Sequence, residues 1–242
     1  MTSRAMFVVA ATGLAATIVP SAQGVVTLGN GDTVVLSSLL APTSDHLVNI
    51  GDKTFTFSTY TSSVFPSSAV FITGFIAPNP NDGIGFDITG GFGDVVPGDN
   101  AISEFNLLYN VEVQQPFFNQ GYRLKDIGLV FNGAATGLGS YARVDESVFD
   151  FDGVPGTNLL ATLAAVANGG GPSALQDFRD FSPSTFRKFQ VNKDVKFFAN
   201  GTGGTSSASF IRQSFSQRII PAPGAAALIG FGGLIALRRR RA

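Results

Sequence analysis

The sequence predicts an all-β protein, an antiparallel β-sandwich of jelly-roll-like form, on three observations. Apolar and polar residues alternate with a period of two in several segments, as a half-buried strand requires. The 29 glycines and 12 prolines punctuate short apolar runs and follow no collagen-like period. Phe contributes 23 residues while charged residues make up only 14% of the chain, ample apolar material for two sheets to share one core.

In chain order, the first clear strand is Lys53-Thr-Phe55-Thr-Phe57-Ser, where the apolar face is aromatic. Ala69 to Ile76 is rich in β-branched and aromatic residues and ends at APNPNDG, a surface turn over Ala77 to Gly83. Ile84-Gly-Phe86-Asp-Ile88 alternates again, and Phe105 to Val113, FNLLYNVEV, does so over the longest span. Leu124 to Phe131 and Ser140 to Val148 follow. Asn158 to Ala167, NLLATLAAVA, suits a short helix or a buried strand and is assigned as a strand, with a turn at Asn168 to Ser173. The last candidates are Phe186 to Val191, Val195 to Ala199 and Ala208 to Ile219. No repeat of 20–50 residues and no long linker divides this body, so one domain is expected over 25–220, with helices of one or two turns at most.

The two ends differ from the body. Arg4 precedes an apolar run from Ala5 to Val19, Pro20 stops any helix, and Ala22-Gln23-Gly24 supplies small residues for a signal peptidase. This predicts a signal peptide over 1–24, cut between Gly24 and Val25; an uncleaved anchor is the alternative. At the other end Ala225 to Leu237 is apolar for 13 residues, shorter than the ~20 of a comfortable transmembrane helix, and Arg238, Arg239, Arg240 and Arg241 follow. Each arginine costs about 2.5–3.5 kcal/mol at the bilayer centre, so the cluster stays cytoplasmic and the body lies outside.

Pro221-Ala222-Pro223, the short Gly/Leu/Ala segment and the arginine cluster together resemble the sorting tail of PEP-CTERM proteins of diderm bacteria, with Ala222 between the two prolines. The resemblance implies a tail over 221–242, a membrane helix near 225–237, and handling by an exosortase-like peptidase that cuts near Pro221 to Gly224. A permanent tail anchor is the alternative. The body is similar, more loosely, to β-sandwich proteins that carry such tails, through Asn192-Lys193-Asp194-Val195 and the run Ser209 to Gln217. That similarity implies an envelope-surface or matrix protein and assigns no catalytic residue.

Composition narrows the chemistry. Cys is absent, which excludes disulfides, thiolate metal sites and a cysteine nucleophile. Residues 25 to 220 hold 11 basic and 17 acidic side chains, a net charge of −6, so nucleic acid is not an expected partner. His46 is the one histidine, in a turn-rich stretch with no nucleophile elbow elsewhere, and is expected on the solvated surface. Asp145-Glu146 and Asp150 with Asp152 are paired carboxylates of the type a glycosidase needs. Tyr60, Tyr109, Tyr122 and Tyr141 are the aromatics able to replace Trp in a sugar cleft. Calcium is the one cofactor the residue types suit. Asp82, Asp87, Asp94 and Asp99 lie in Gly-rich turns, and Asp150 and Asp152 stand at alternate positions without the order of an EF-hand.

The reading that follows is a non-enzymatic, exported surface or extracellular-matrix protein associated with exopolysaccharide, held at the membrane by its tail before processing. The alternative is a carbohydrate-binding module or glycoside-processing enzyme. A concave face lined by Tyr and paired carboxylates would favour sugar chemistry, and two filled sheets without a cleft would favour a matrix component.

Overall fold

The computed structural model describes residues 24–78, 83–94, 96–151, 156–201 and 203–220. Two large sheets face each other. The first runs in the order β1 (Val26–Leu28), β3 (Leu47–Ile50), β4 (Lys53–Ser62), β7 (Ser103–Val113), β14 (Lys188–Phe198), β11 (Tyr141–Asp150) and β12 (Asn158–Asn168). The second runs β13 (Gln176–Asp180), β9 (Asp126–Phe131), β15 (Thr205–Phe215), β6 (Ile84–Gly93), β5 (Phe71–Ile76) and β2 (Thr33–Val35), with β10 (Ala134–Thr136) also on β15. A ribbon of β8 (Tyr122–Leu124) and β16 (Gln217–Ile219) closes one end. Among the described residues the pairings are antiparallel except β1 with β3, and the helices α1 (Leu36–Leu39) and α2 (Gln115–Asn119) are single turns. None of these helices is long and apolar enough to cross a membrane.

Aromatic rings fill the space between the layers because alternation turns one side of every long strand inward. Phe86 on β6 meets Phe55 and Phe57 on β4 and Tyr109 on β7, with ring centroids 5.2, 5.3 and 5.1 Å away in edge-on contacts. Phe65, Phe92, Phe105 and Phe197 make a second cluster, and Phe181, Phe186, Phe189 and Phe215 a third. Within the second sheet β6 and β15 approach closely at Gly85, where a Cβ would lie 1.8 Å from the Gln213 carbonyl oxygen, so only glycine fits.

The body is all-β as expected, and Asn158 to Ala167 is a strand, but several boundaries differ. Phe186 to Val191 and Val195 to Ala199 belong to one strand, β14. The three polar residues between them do not break it, because Asn192 and Asp194 face outward while Lys193 is buried opposite Glu146. Leu124 to Phe131 divides at Lys125, and Ala208 to Ile219 divides at Ser216. Both breaks are tied together by the Asp126 carboxylate, which accepts from the Ser216 N–H at 2.9 Å and from its hydroxyl.

Strand β12 is the lateral edge of the first sheet, yet the outward backbone groups of its C-terminal half are engaged. The Ala164 N–H donates to the Asp177 carboxylate at 3.0 Å, Val166 exchanges two bonds with Ala174, and the Asn168 N–H donates to Ser173 Oγ. Segments 1–23 and 221–242, and with them the sorting residues Pro221, Ala222, Pro223 and Arg238 to Arg241, lie outside the described residues. Gly24 and Val25 are exposed just before β1.

Candidate functional site

The outer face of the first sheet is where polar side chains converge. Strands β11 and β14 pair in register, so their outward residues meet as rungs: Tyr141 with Phe198, Arg143 with Lys196, Asp145 with Asp194, and Ser147 with Asn192. Rungs two residues apart along the strands are about 6.7 Å apart. Asn106 of β7 lies beside Asp194 on the next strand. Arg179 and Asp177 of β13 reach over the β12 edge and, with Asn106, Arg143, Asp145 and Asp194, line a shallow groove of about 460 Å³; Tyr141, Phe198 and Lys196 lie on the same face beyond it.

Its electrostatics are internally matched. Two carboxylates directly opposite each other repel, and here each is held by a cation two residues along its own strand. Arg143 binds Asp145 through two bonds of 2.7 Å, and Lys196 binds Asp194. These bonds hold the Arg143 guanidinium and the Lys196 ammonium above their ordinary values. Asp194 Oδ1 still has no hydrogen-bond partner. At one end of the ladder Tyr141 and Phe198 lie 5.5 Å apart between centroids with a 34° tilt, both half exposed. The face thus offers a ring surface followed by donors and acceptors of both charges.

A second depression, about 740 Å³, lies on the outer face of the second sheet between β13, β9 and β15, where Phe178 is 55% exposed beside Gly128 and Ser214.

Between the sheets sits a polar cluster that no surface residue explains. Lys193 and Glu146 are opposite each other on β14 and β11, both fully buried, and the Lys193 ammonium donates to Glu146 and, at 2.8 Å, to Gln213 Oε1 on the facing sheet. Gln213 donates in turn to the Gly128 carbonyl at 3.1 Å. Burial lowers the Lys193 pKa and raises that of Glu146, each opposed by the other's charge, so the neutral amine and neutral acid are both favoured over isolated ions. Burial, then the Glu146 charge, also raises Tyr109, whose hydroxyl has no partner. Lys53 repeats the arrangement near the β8–β16 ribbon, donating to Asp52 at 2.9 Å and Gln217 at 3.3 Å.

The residues singled out from sequence scatter. Asp145 and Glu146 point to opposite faces, as neighbours in a strand must, so they form no carboxylate dyad; the carboxylate that meets Asp145 is Asp194, 49 positions along the chain. Asp150 is half-buried at the end of β11, opposite Phe189 and Asn158, while Asp152 and Asp82 lie outside the described residues. Asp87 is bound bidentately by Arg212 at 2.7 and 2.8 Å, Asp94 accepts from Ala199 and Val96 N–H groups, and Asp99 accepts from the Ala101 N–H. No group of three acidic or histidine side chains able to hold a metal occurs among the described residues. His46 is half-buried, not solvated: its φ is 59°, its carbonyl accepts from Phe57, and its Nδ1 has no partner. Of the tyrosines, only Tyr141 lies on the groove's face; Tyr109 is in the core, Tyr60 bonds the Phe65 carbonyl, and Tyr122 packs on Phe117.

No family model matches the chain, and no curated protein matches it. Among solved structures it is similar to the enzymatically active domain of Bacteriophage CBA120 tailspike protein 4, at 15% identity and a TM-score of 0.25 over 70% of this chain. The match spans 20% of that chain, and a likeness at this level says nothing about activity.

Proposed function

We propose that this is an exported, non-enzymatic surface or matrix protein whose sandwich meets extracellular polysaccharide through the outer face of the first sheet. The observation that supports this best is the ladder on β11 and β14. A tilted aromatic pair, then fixed cations, carboxylates and an amide at regular spacing, suits a polyhydroxylated chain that stacks on one end and hydrogen-bonds along the rest. The interior is occupied by rings, so a ligand is offered an open face in place of an enclosed cleft. The N-terminal pattern and the Pro221 to Arg241 tail support export by way of a signal peptidase, transient membrane retention, and release by an exosortase-like peptidase to the envelope surface or matrix of a diderm bacterium.

The test is a glycan array probed with the purified protein and with Tyr141→Ala and Asn192→Ala. Binding to acidic or neutral polysaccharide that both substitutions weaken at least fivefold supports the reading. Absence of binding, or binding indifferent to both, refutes it. The facing of Asp145 and Asp194 favours one competing reading, glycoside processing, which polysaccharide cleavage lost in Asp194→Asn would establish. Export and processing are read by intact mass of envelope and medium fractions. Protein beginning at Met1, or retaining Arg241 in every fraction, would count against them.

A further inference from the structure

The cluster of Lys193, Glu146 and Gln213 is a costly arrangement for a purely structural role. A buried ion pair seldom repays its desolvation, and well-packed apolar residues often serve as well. This one also leaves Glu146 Oε1 without a partner in a closed interior. What the three side chains have in common is complementary acyl chemistry. An amine, a carboxamide and a carboxylic acid are held together, all fully buried, with the Lys193 nitrogen touching both the Gln213 carbonyl oxygen and the acid.

We infer that Lys193 and Gln213 form an intramolecular isopeptide bond, with Glu146 shuttling the protons, which covalently joins β14 of the first sheet to β15 of the second.

The step balances without a co-reactant. The neutral Lys193 Nζ attacks Gln213 Cδ as protonated Glu146 gives its proton to Oε1, forming a tetrahedral carbon. The resulting carboxylate takes a proton from Nζ and delivers it to Nε2. The Cδ–Nε2 bond then breaks, the carbonyl reforms as the Oε1 proton returns to Glu146, and one ammonia leaves. Nothing is oxidised or reduced. Each requirement has a counterpart in the fold. Burial favours the unprotonated amine, which alone is nucleophilic, and the protonated acid, which alone can donate. The Gly128 carbonyl holds the Gln213 amide nitrogen at 3.1 Å and so fixes the carboxamide plane. The rigid pairing of β14 with β11 keeps amine and acid in contact, replacing a bimolecular encounter by a small rotation of the lysine side chain. Burial also withholds water, which would otherwise compete for the same carbon.

Mass spectrometry of the purified full chain decides the point, with its termini assigned from terminal peptides. The folded protein should be lighter than its sequence by one ammonia. Trypsin should fail to cut after Lys193 and should yield the peptides carrying Lys193 and Gln213 joined. Because Lys53 lies near Gln217 in a similar way at 3.3 Å, the joined peptide and not the mass alone assigns the bond. Glu146→Gln keeps both reacting groups and should restore the full mass and trypsin cleavage after Lys193. A folded wild-type protein in which trypsin cuts after Lys193 and Gln213 appears in an unjoined peptide would overturn the proposal, whether or not any variant folds. A joined peptide persisting undiminished in Glu146→Gln would overturn the shuttle role.

Discussion

Truncating Phe86 tests whether the two layers are held by their rings. Phe86 is fully buried on β6 and is the one side chain of the second sheet whose ring meets three rings of the first, those of Phe55, Phe57 and Tyr109. Phe86→Ala removes the transfer energy of the ring and leaves a cavity between two β-sheets that cannot collapse independently, which places the loss at about 3–5 kcal/mol. Phe86→Leu keeps most of the apolar area but forfeits three edge contacts worth at least roughly 0.5 kcal/mol each, so about 1.5 kcal/mol is expected. The assay is urea unfolding followed by far-ultraviolet circular dichroism. With an m-value near ~2 kcal/mol/M, Phe86→Ala should lower the midpoint by about 2 M at unchanged m. Phe178→Ala, at a ring 55% exposed on the outer face, is the control and should shift the midpoint little. Equal losses from Phe86→Ala and Phe178→Ala, or a loss below about 1 kcal/mol for Phe86→Ala, would refute the assignment of the core.

Further outcomes follow from particular contacts. Asp126→Ala removes the acceptor that ties Ser216 to the start of β9 and should cost about 1.5–3 kcal/mol in the same unfolding assay, as a charged hydrogen-bond acceptor does. Gly85→Ala places a Cβ against the Gln213 carbonyl and should cost about 1–3 kcal/mol, with the broadest NMR shift changes on β15. Tyr60 is pushed up to about 12, first by burial, from an ordinary value of 10.0. Between those values the unfolded chain has released a proton that the folded chain keeps, so stability falls as pH rises from about 10 to about 12. Tyr60→Phe should flatten that part of the profile, and an unchanged slope would exclude Tyr60 as its source. Asp145→Asn removes a negative charge from the face and frees Arg143, so it should strengthen binding to any acidic polysaccharide the array identifies and change stability by no more than about 0.5 kcal/mol, because its ion pair is half exposed.

The long strands were legible because each buries one face, and burying one face forces a period of two. Lys53 to Phe57, Ile84 to Ile88 and Phe105 to Val113 show it plainly. Short edge elements carry no such signal: β13 reads QDFRD, with no apolar stripe, since one of its faces lies over the β12 edge and the other is open. The buried lysine was half visible. Phe189, Val191, Val195 and Phe197 mark the inward face of β14, and Lys193 falls on it, so the alternation carried through the polar triplet would have placed a charge in the core. The groove was not visible at all, because Asp145 meets Asp194 only through a pairing register that joins distant parts of the chain.

The capped β12 edge bears on how this protein can assemble. An open edge strand is a template for another chain, including a second copy of the same one. With the Ala164, Val166 and Asn168 amides already committed within the same molecule, a second copy finds no free donors along the C-terminal half of that strand to extend the sheet. Association through that stretch of the flank must therefore use side chains. Strand addition at that stretch of β12 would first require the segment from Ser173 to Asp177 to peel away.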